Sequence, residues 1–480
     1  MRRRALRTLA VGFALLLVAG GTCSKGSDPE LVGKIDHVIV IMQENRSFDS
    51  YFGTFPGADG ISMDANGRPT ICVPNSRLGT CLAPFHDPHD SNLGGPHDFD
   101  DALQDIANGH MTGLLDAAYD RPLGLLNGAK GVAGRLRAAF CSAEPERPVC
   151  SHPDLMGWHD AREIPNYWAY AQNFVLQDHM FQPNFGPSEP AHLYMVSGWS
   201  ATCRNPQNPG SCVTNLTLPD PESPRGNDTK PDFGWTDLTY LLHKAGVNWA
   251  YYTDPSERPD CDRFGVICGP EDNIVGTPNL WNPLPDFVDV HDDGEVGHIK
   301  PVSEFFRALK DGSLPPVVWV VPNAKNSEHP PAKISDGQAW VTSLINAVGR
   351  SSVWDSSAIF VTWDDWGGFY DHVVPPATRD GLGYSMRVPA LLISPYARKG
   401  YVDHHTLSFD AYLKLIEDRF LDGQRLDPEK DGRWDPRPSV REDEPILGNL
   451  LDEFDLSQAP RPALLLPTRP PPGPASVPGG

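Results

Sequence analysis

The sequence contains no C-x-x-C cysteine pair, no excess of basic residues and no recognisable internal repeat. The lack of C-x-x-C pairs argues against a structural zinc site built on cysteines. A chain without repeats is not expected to form a solenoid or a propeller. Beyond the N-terminus, no apolar run approaches the roughly 20 residues that a membrane-spanning helix needs. With 40% hydrophobic residues, the chain is instead expected to form a globular core.

The chain also lacks positive charge overall. Its formal net charge is −22, and it becomes −26 if residues 1–22 are removed, because they hold four arginines and no acidic residue. A charge of this size repels nucleic acid and anionic lipid surfaces. Nucleic acid is therefore not an expected partner. A neutral or zwitterionic lipid head group remains compatible with this charge.

The N-terminus has the order of an export signal. A basic stretch at residues 2–7 is followed by an apolar run at 9–19 and then by small residues. This order predicts a signal peptide over residues 1–22 rather than a spanning helix, and Arg3-Arg4 loosely fits a twin-arginine signal. Cys23 follows directly and is the odd one of nine cysteines. Lipid modification would explain its position, so we leave peripheral or lipid-anchored membrane association open.

The other eight cysteines support export, because they fall into four close couples. Each couple brackets a short polar or Pro-rich loop, as expected for local disulfides formed in an oxidising compartment. Other pairings are also compatible with the sequence. The couples are Cys72/Cys81, Cys141/Cys150, Cys203/Cys212 and Cys261/Cys268.

Short, nearly continuous apolar runs alternate with helical patterns along the chain. This alternation predicts an α/β fold with a mainly parallel central sheet covered on both faces. One domain is expected over residues 24–458, and the Pro-rich segment 459–480 is predicted to be disordered. The predicted strands are 35–42, 247–252, 317–321, 358–362 and 388–393, and the predicted helices are 161–176, 237–245, 302–309, 339–348 and 409–420.

Acidic and amide side chains follow two of the predicted strands. Asp364 and Asp365 come directly after the run 358–362, and Glu44 and Asn45 follow the first strand. The carboxyl ends of strands in open α/β sheets are where ligands bind. Carboxylate and amide oxygens together suit a hard divalent cation. Considered separately, each pair could equally cap a turn or begin a helix.

Ser188 lies between Gly186-Pro187 and Pro190, immediately before an apolar helical run. This pattern places its hydroxyl at a helix N-terminus, where free backbone N–H groups can bind an anion. An ordinary N-cap serine would have the same pattern. Histidines occur in three further polar stretches: His97 in a His/Asp-rich loop, His329 after the run 317–321, and His372 after the paired glycines 367–368.

Taken together, these stretches resemble the bacterial phospholipase C and acid phosphatase group of phosphoesterases, which is related in fold to the alkaline phosphatases. The segments that carry the resemblance keep the family's order across residues 35 to about 420. They are 37–49, 186–188, 327–331 and 364–373, with weaker matches at 96–98 and 108–111.

The resemblance implies a three-layer α/β/α sandwich with a metal-assisted site at the strand ends. It implies that a divalent cation is held by Glu44, Asn45, Asp364 and Asp365, and that Ser188 is the nucleophile. It also implies that His97, His329 and His372 contact the phosphate or transfer protons. The substrate would be a phospholipid or a small phosphate ester. One departure is Ala191-His192, where phospholipase C members commonly have Asn-Arg.

Four functions remain open at this point. The favoured one is an exported phospholipase C that cleaves phosphatidylcholine to diacylglycerol and phosphocholine, and the first alternative is an acid phosphatase acting on monoesters. A sulfatase is less favoured, because His192 occupies the position where the sulfatase signature needs arginine. A surface lipoprotein without turnover is disfavoured, because every metal and nucleophile position carries a competent residue.

Overall fold

The structure is a computed structural model, and it describes residues 31, 33–76, 79–120, 154–217, 230–255 and 275–477. The predicted signal peptide, Cys23 and the couples Cys141/Cys150 and Cys261/Cys268 lie outside these residues. Within the described ranges, every helix is too short or too polar to span a bilayer.

An eight-stranded sheet organises the fold, with strands in the order β11-β10-β12-β1-β13-β14-β6-β15. Every neighbouring pair is parallel except the two that involve β14. The strands are β1 His37–Gln43, β2 Val73–Asn75, β3 Thr80–Leu82, β4 Phe85–His86, β5 Gly157–Trp158, β6 Val175–Gln177, β7 Met180–Phe181, β8 Ala201–Cys203, β9 Cys212–Thr214, β10 Trp249–Thr253, β11 Ile299–Pro301, β12 Val317–Val321, β13 Ser357–Trp363, β14 Ala390–Ile393, β15 Tyr401–Asp403 and β16 Leu407–Ser408.

Helices cover the sheet in two groups and complete the predicted α/β/α arrangement. Helix α4 packs on β6, β14 and β15 and adjoins α9, which also contacts α8, whereas α10 packs on α5 and α6. The helices are α1 Phe48–Phe52, α2 Phe99–Ile106, α3 Leu114–Asp120, α4 Pro165–Asn173, α5 Ser188–Ser197, α6 Leu238–Ala245, α7 Val288–Asp292, α8 Val302–Asp311, α9 Ile334–Gly349 and α10 Phe409–Phe420.

The central strands are apolar because both of their faces are covered. All residues of β12 and β13 are buried, as are six of the seven residues of β1. This double burial removes the alternation of polar and apolar residues that a half-exposed strand would show. The sequence pattern therefore located β1, β10, β12, β13 and β14 to within a few residues.

One predicted helix is only partly correct. The apolar spacing over residues 161–176 predicted a single helix, but the structure has the nine-residue α4, Pro165–Asn173, followed by strand β6. Pro165 supplies the first helical position, where its missing N–H is not needed. Short apolar runs do not distinguish a helix end from a buried strand.

Two of the four cysteine couples are confirmed as disulfides. Cys72 directly precedes β2 and bonds Cys81 of β3, and these two strands form an antiparallel hairpin. Cys203 bonds Cys212 across the antiparallel pair β8 and β9. Both bonds close local hairpins, as the sequence spacing predicted.

The Pro-rich C-terminal segment differs from its predicted disorder. Residues 459–477 contain no helix or strand, yet they are hydrogen bonded along the domain. Asn346 Nδ2 donates to the Leu466 carbonyl at 2.7 Å, and its Oδ1 accepts from the Leu466 N–H at 3.1 Å. Asn166 Nδ2 donates to the Pro467 carbonyl at 2.8 Å, and Gly473 N–H donates to Ala161. The prolines prevent a helix or strand in this segment, but hydrogen bonds to the domain still hold its backbone in one position.

We therefore expect deletion of residues 459–480 to lower the melting temperature by about 3 °C or more, because several buried hydrogen bonds of about 1 kcal/mol each are lost. The measurement is thermal unfolding followed by circular dichroism. Asn346→Ala should reproduce part of the loss, because it removes both bonds to Leu466. Deletion of residues 478–480 alone is the control. An unchanged melting temperature in the long deletion would contradict the structure.

Candidate active site

The carboxyl ends of β1 and β13 bring the predicted metal ligands together. The parallel register pairs Gln43 with Trp363, the last residues of the two strands. The Asp364 N–H donates to the Gln43 carbonyl at 2.9 Å, so the pairing continues one step further. The residues that follow β1 are Glu44 and Asn45, and those that follow β13 are Asp364 and Asp365. All four of these side chains are buried.

Asn45 links the two chain segments. Its N–H donates to Asp364 Oδ1 at 2.8 Å, and its Nδ2 donates to Asp365 Oδ1 at 3.0 Å. Asn45 takes a left-handed backbone conformation with φ 55°, which asparagine tolerates better than most residues. Gly367 lies directly against it, and a Cβ at Gly367 would fall 2.6 Å from the Asn45 Cβ. The close approach of these backbones therefore requires glycine at 367.

Ser188 is the first residue of α5 and lies beside these carboxylates. It is buried, and its Oγ is 3.3 Å from both Glu44 Oε2 and Asp365 Oδ2. Its single hydroxyl hydrogen can be donated to only one of them at a time. The preceding Pro187 is extended and forms the N-cap, so that the N-terminal end of the helix lies at the serine. This combination confirms the predicted position at a helix N-terminus.

The oxygen atoms of this cluster fit a metal ion. Asn45 Oδ1 and Asp364 Oδ2 are buried and accept no hydrogen bond within the described residues. A buried acceptor without a donor costs about 1–3 kcal/mol. Carboxylate and amide oxygens are the ligands that a hard cation prefers. The residues present therefore could hold a metal ion at this point.

His192 is a member of the cluster that the sequence reasoning did not assign. Its Nε2 is 2.9 Å from Glu44 Oε1, and the ring is buried. Burial lowers the pKa of His192 to about 4, although the Asp364 carboxylate acts to raise it. The sequence did offer an indication of this position: His192 is four residues after Ser188 on a predicted helix, and residues i and i+4 share one helix face.

His97 hydrogen bonds to the cluster, and His329 lies beside His97. His97 Nδ1 is 2.9 Å from the Gly95 carbonyl and must donate to it, so Nε2 can accept from Asn45 Nδ2 at 3.2 Å. His329 Nδ1 donates in the same way to the Pro330 carbonyl at 2.8 Å. The two imidazole rings are 6.4 Å apart. Both rings are therefore oriented through Nδ1.

Glu328, which precedes His329, is anchored in the core. Its carboxylate accepts hydrogen bonds from Tyr51, Tyr167 and Trp363 at 2.6, 2.6 and 3.2 Å. Burial raises the pKa of Glu328 to about 7, although the Arg46 guanidinium and these hydrogen bonds act to lower it. The anchor fixes the loop that carries His329 to the end of β13.

The structure places His372 in a different cluster. Its Nδ1 is 2.7 Å from Asp49 Oδ2, and the buried Arg387 guanidinium binds both Asp49 and Asp371 at 3.1 and 3.0 Å. Asp59 Oδ1 lies 3.5 Å from the second ring nitrogen. The proton-transfer role that the family resemblance implied for His372 is therefore not supported by its contacts.

Most of the His/Asp-rich loop before His97 also lies in other contacts. His86 pairs with Glu163 at 3.1 Å, and His89 pairs with Asp87 at 2.5 Å. These pairs hold the loop against β5 and the segment before α4. Only His97 of this loop hydrogen bonds a predicted metal ligand among the contacts that the structure describes.

A family model described as the phosphoesterase family matches residues 35–421. The chain belongs to the phosphoesterase family. It is accordingly a hydrolase of phosphate ester bonds, and the recognition made from the motifs is confirmed.

Relatives with known names are similar over most of the chain. Phospholipase C B of Mycobacterium tuberculosis is 26% identical over 441 residues, which cover 85% of this chain and 78% of that protein. Non-hemolytic phospholipase C of Burkholderia pseudomallei is 27% identical. The alignment covers 81% of this chain but only 55% of that protein, so this chain spans about half of its length. Non-specific phospholipase C5 of Arabidopsis thaliana is 32% identical and covers 77% of this chain and 66% of that protein.

The alignment with a solved structure, a protein of the alkaline phosphatase superfamily from Vibrio parahaemolyticus, covers 57% of this chain and 64% of that protein's chain. The TM-score is 0.31 and the identity 15%, so the fold assignment rests on the sheet itself.

The His372 cluster predicts a pH-dependent contribution to stability. Burial acts to lower the pKa of His372, but the charge and hydrogen bond of Asp49 outweigh it and raise the pKa to about 9. The imidazolium therefore stabilises the fold fully below pH 6.5, and this contribution is lost as the pH rises through 9. His372→Gln should lower the free energy of unfolding by about 2–3 kcal/mol at pH 6, and by much less above pH 9.

The measurement is denaturant unfolding of both proteins between pH 5.5 and 9.5. His110→Gln is the matched control, because His110 is exposed, and this variant should follow the parent at every pH. A loss in His372→Gln that is equal at pH 6 and pH 9.5 would contradict the charge pairing.

Proposed function

We propose that this phosphoesterase is an exported phospholipase C that cleaves phosphatidylcholine-type lipids to diacylglycerol and phosphocholine. The observation that carries a covalent phosphoesterase mechanism is the position of Ser188 Oγ, 3.3 Å from two buried carboxylates at the start of a helix. The preference for a phospholipid is supported by the names of the relatives. An acid phosphatase acting on monoesters is the alternative.

We propose that Glu44, Asn45, Asp364 and Asp365 hold a divalent cation. The buried oxygens of Asn45 and Asp364 without a hydrogen-bond donor support this assignment. When bound, the cation would neutralise phosphate charge and favour ionisation of the serine hydroxyl. The identity of the metal is addressed by a separate experiment below.

Ser188 is the proposed nucleophile. Its hydroxyl proton passes to Glu44 Oε2 or Asp365 Oδ2 as Oγ attacks phosphorus, and it returns to Oγ when the phosphoserine is hydrolysed. The bond from phosphorus to the glycerol oxygen then breaks, and phosphocholine remains on the serine. The N-terminus of α5 favours the negative charge of the phosphate oxygens through the helix dipole. The covalent route divides one difficult displacement into two.

His329 is the proposed acid for the departing alkoxide. Its Nδ1–H donates to the Pro330 carbonyl, which fixes the ring, so the proposed proton transfer uses Nε2. Protonated Nε2 gives its proton to the glycerol oxygen, and then removes a proton from the water that hydrolyses the phosphoserine. His97 would position Asn45 rather than contact the phosphate, because its Nδ1 donates to the Gly95 carbonyl and its Nε2 accepts from Asn45 Nδ2.

The aromatic residues around the site do not support a choline pocket. Trp363 and Trp366 are fully buried, and Phe369 is almost so. Trp363 Nε1 donates to Glu328, Trp366 Nε1 donates to Asp105, and Phe369 lies 4.7 Å under Arg46. These rings therefore pack the core.

Export is proposed from the signal-like N-terminus and is supported by the two disulfides. Association with a membrane surface, either peripheral or through a lipid on Cys23, stays part of this proposal. A sulfatase remains less favoured, and a surface protein without turnover is disfavoured by the assembled cluster of Ser188, Glu44 and Asp365.

Two chromogenic substrates test the reaction. Purified enzyme is expected to hydrolyse p-nitrophenylphosphorylcholine faster than p-nitrophenyl phosphate, and a chelator should suppress both rates until a divalent metal is restored. Faster hydrolysis of the monoester would identify an acid phosphatase instead. Absence of hydrolysis of either substrate with every metal tested would contradict the proposed function.

Ser188→Ala is expected to reduce kcat by at least about 1,000-fold, because the attacking oxygen is removed while the buried site keeps its shape. Ser188→Thr is the matched variant, since the resembling family has serine or threonine here, and it should keep measurable activity. Melting curves establish that both variants are folded. Substantial turnover by a folded Ser188→Ala protein would rule out the phosphoserine intermediate.

A further inference from the structure

His192 lies on the face of α5 that carries the nucleophile. Ser188 and His192 are four residues apart, and both point at Glu44: the serine at Oε2 and the imidazole at Oε1. Glu44, His192 and Asp364 each offer a ligand atom, and the three atoms lie within 4.8 Å of one another. All three side chains are buried.

The His192 ring lies between Tyr251 and Glu44. The Tyr251 hydroxyl donates its hydrogen to the Trp281 carbonyl at 2.6 Å, and its oxygen is 3.5 Å from His192 Nδ1. The Nε2 atom of the same ring is directed at Glu44 Oε1, 2.9 Å away. The ring is therefore oriented with Nε2 toward the carboxylate.

Asp364, the third member of this group, has a buried Oδ2 that accepts no hydrogen bond within the described residues. A cation bound by Asp364, Glu44 and the His192 Nε2 would supply the missing partner. The Trp281 ring stacks on His192 at 6.4 Å with an interplanar angle of 10°, which keeps solvent from that face. The alternative to a shared cation is a proton held between His192 Nε2 and Glu44 Oε1.

We propose that His192 Nε2 is a ligand of the metal held by Glu44, Asn45, Asp364 and Asp365, and that this nitrogen gives the site a preference for first-row transition ions over Ca²⁺ and Mg²⁺. Imidazole suits Zn²⁺, Mn²⁺ and Fe²⁺, whereas Ca²⁺ and Mg²⁺ take oxygen ligands. The inference rests on the proposed metal site. The Nδ1 contact to Tyr251 is the outer hydrogen bond that a metal-bound histidine commonly has.

The test measures metal binding directly. Apo enzyme is titrated with Zn²⁺, Mn²⁺, Ca²⁺ and Mg²⁺ by isothermal calorimetry, in parallel with the His192→Gln variant, whose side chain keeps a polar group of similar length. We expect Zn²⁺ and Mn²⁺ affinity to fall by at least about tenfold in the variant. Affinity for Ca²⁺ and Mg²⁺ should change by less than about threefold. His110→Gln is the control, because His110 is exposed, and it should bind all four ions as the parent does.

Unchanged Zn²⁺ and Mn²⁺ affinity in folded His192→Gln protein would overturn the proposal and favour a proton on Glu44. If the variant does not fold, pulsed electron paramagnetic resonance of Mn²⁺ in the wild-type enzyme decides. Coupling to an imidazole ¹⁴N, replaced by ¹⁵N coupling after labelling of histidine, supports ligation by a histidine. Absence of any nitrogen coupling overturns the proposal.

These outcomes are separable from those of the proposed function. Metal-dependent hydrolysis without nitrogen coupling would leave the phosphoesterase mechanism standing and remove the role of His192. Nitrogen coupling that is lost in His192→Gln, in a protein that hydrolyses neither chromogenic substrate, would keep the ligand and remove the proposed reaction.

Discussion

The parallel pairing of β1 with β13 is the constraint on which the site depends. Their register ends with Gln43 beside Trp363, so the next residues of both segments must lie side by side. The result is a set of buried acidic and amide groups in one small volume. A shift by one residue would direct alternate side chains to the opposite face and separate the pairs. The hydrophobic packing of the two strands fixes their register, and this register positions the proposed metal ligands.

Buried carboxylates need compensation, and the two acidic clusters obtain it differently. Asp49 and Asp371 share the guanidinium of Arg387 and the imidazolium of His372, so that cluster carries its own positive charge. In the other cluster, Glu44 contacts His192, and burial lowers the pKa of this imidazole to about 4. A cation from solution fits the second case and is not needed in the first. A histidine beside buried carboxylates thus supplies positive charge in the first cluster and leaves room for a cation in the second.

Sequence reasoning found the groups that follow strands and did not find those placed by tertiary contacts. Glu44 and Asp364 each directly follow an apolar strand, and Ser188 begins a helix after a Gly-Pro turn, so local pattern was sufficient. His372 also follows a site motif, but Asp49 and Arg387 hold it in the other cluster. The reversed direction of β14 and the fixed path of residues 459–477 were not predictable either, because apolar periodicity and proline content do not record strand direction or hydrogen-bond partners.

The loop that carries His329 shows how the core supports the chemistry. Glu328 takes a left-handed backbone conformation with φ 68°, which costs about 1 kcal/mol or more for a residue of this type. A Cβ at Gly337 of α9 would fall 2.2 Å from the Glu328 side chain, so the helix leaves room for this carboxylate. The bonds from Tyr51, Tyr167 and Trp363 then offset the burial of its polar group. Because Trp363 is also the residue before Asp364, one buried carboxylate sets the distance between the proposed proton donor and the proposed metal site.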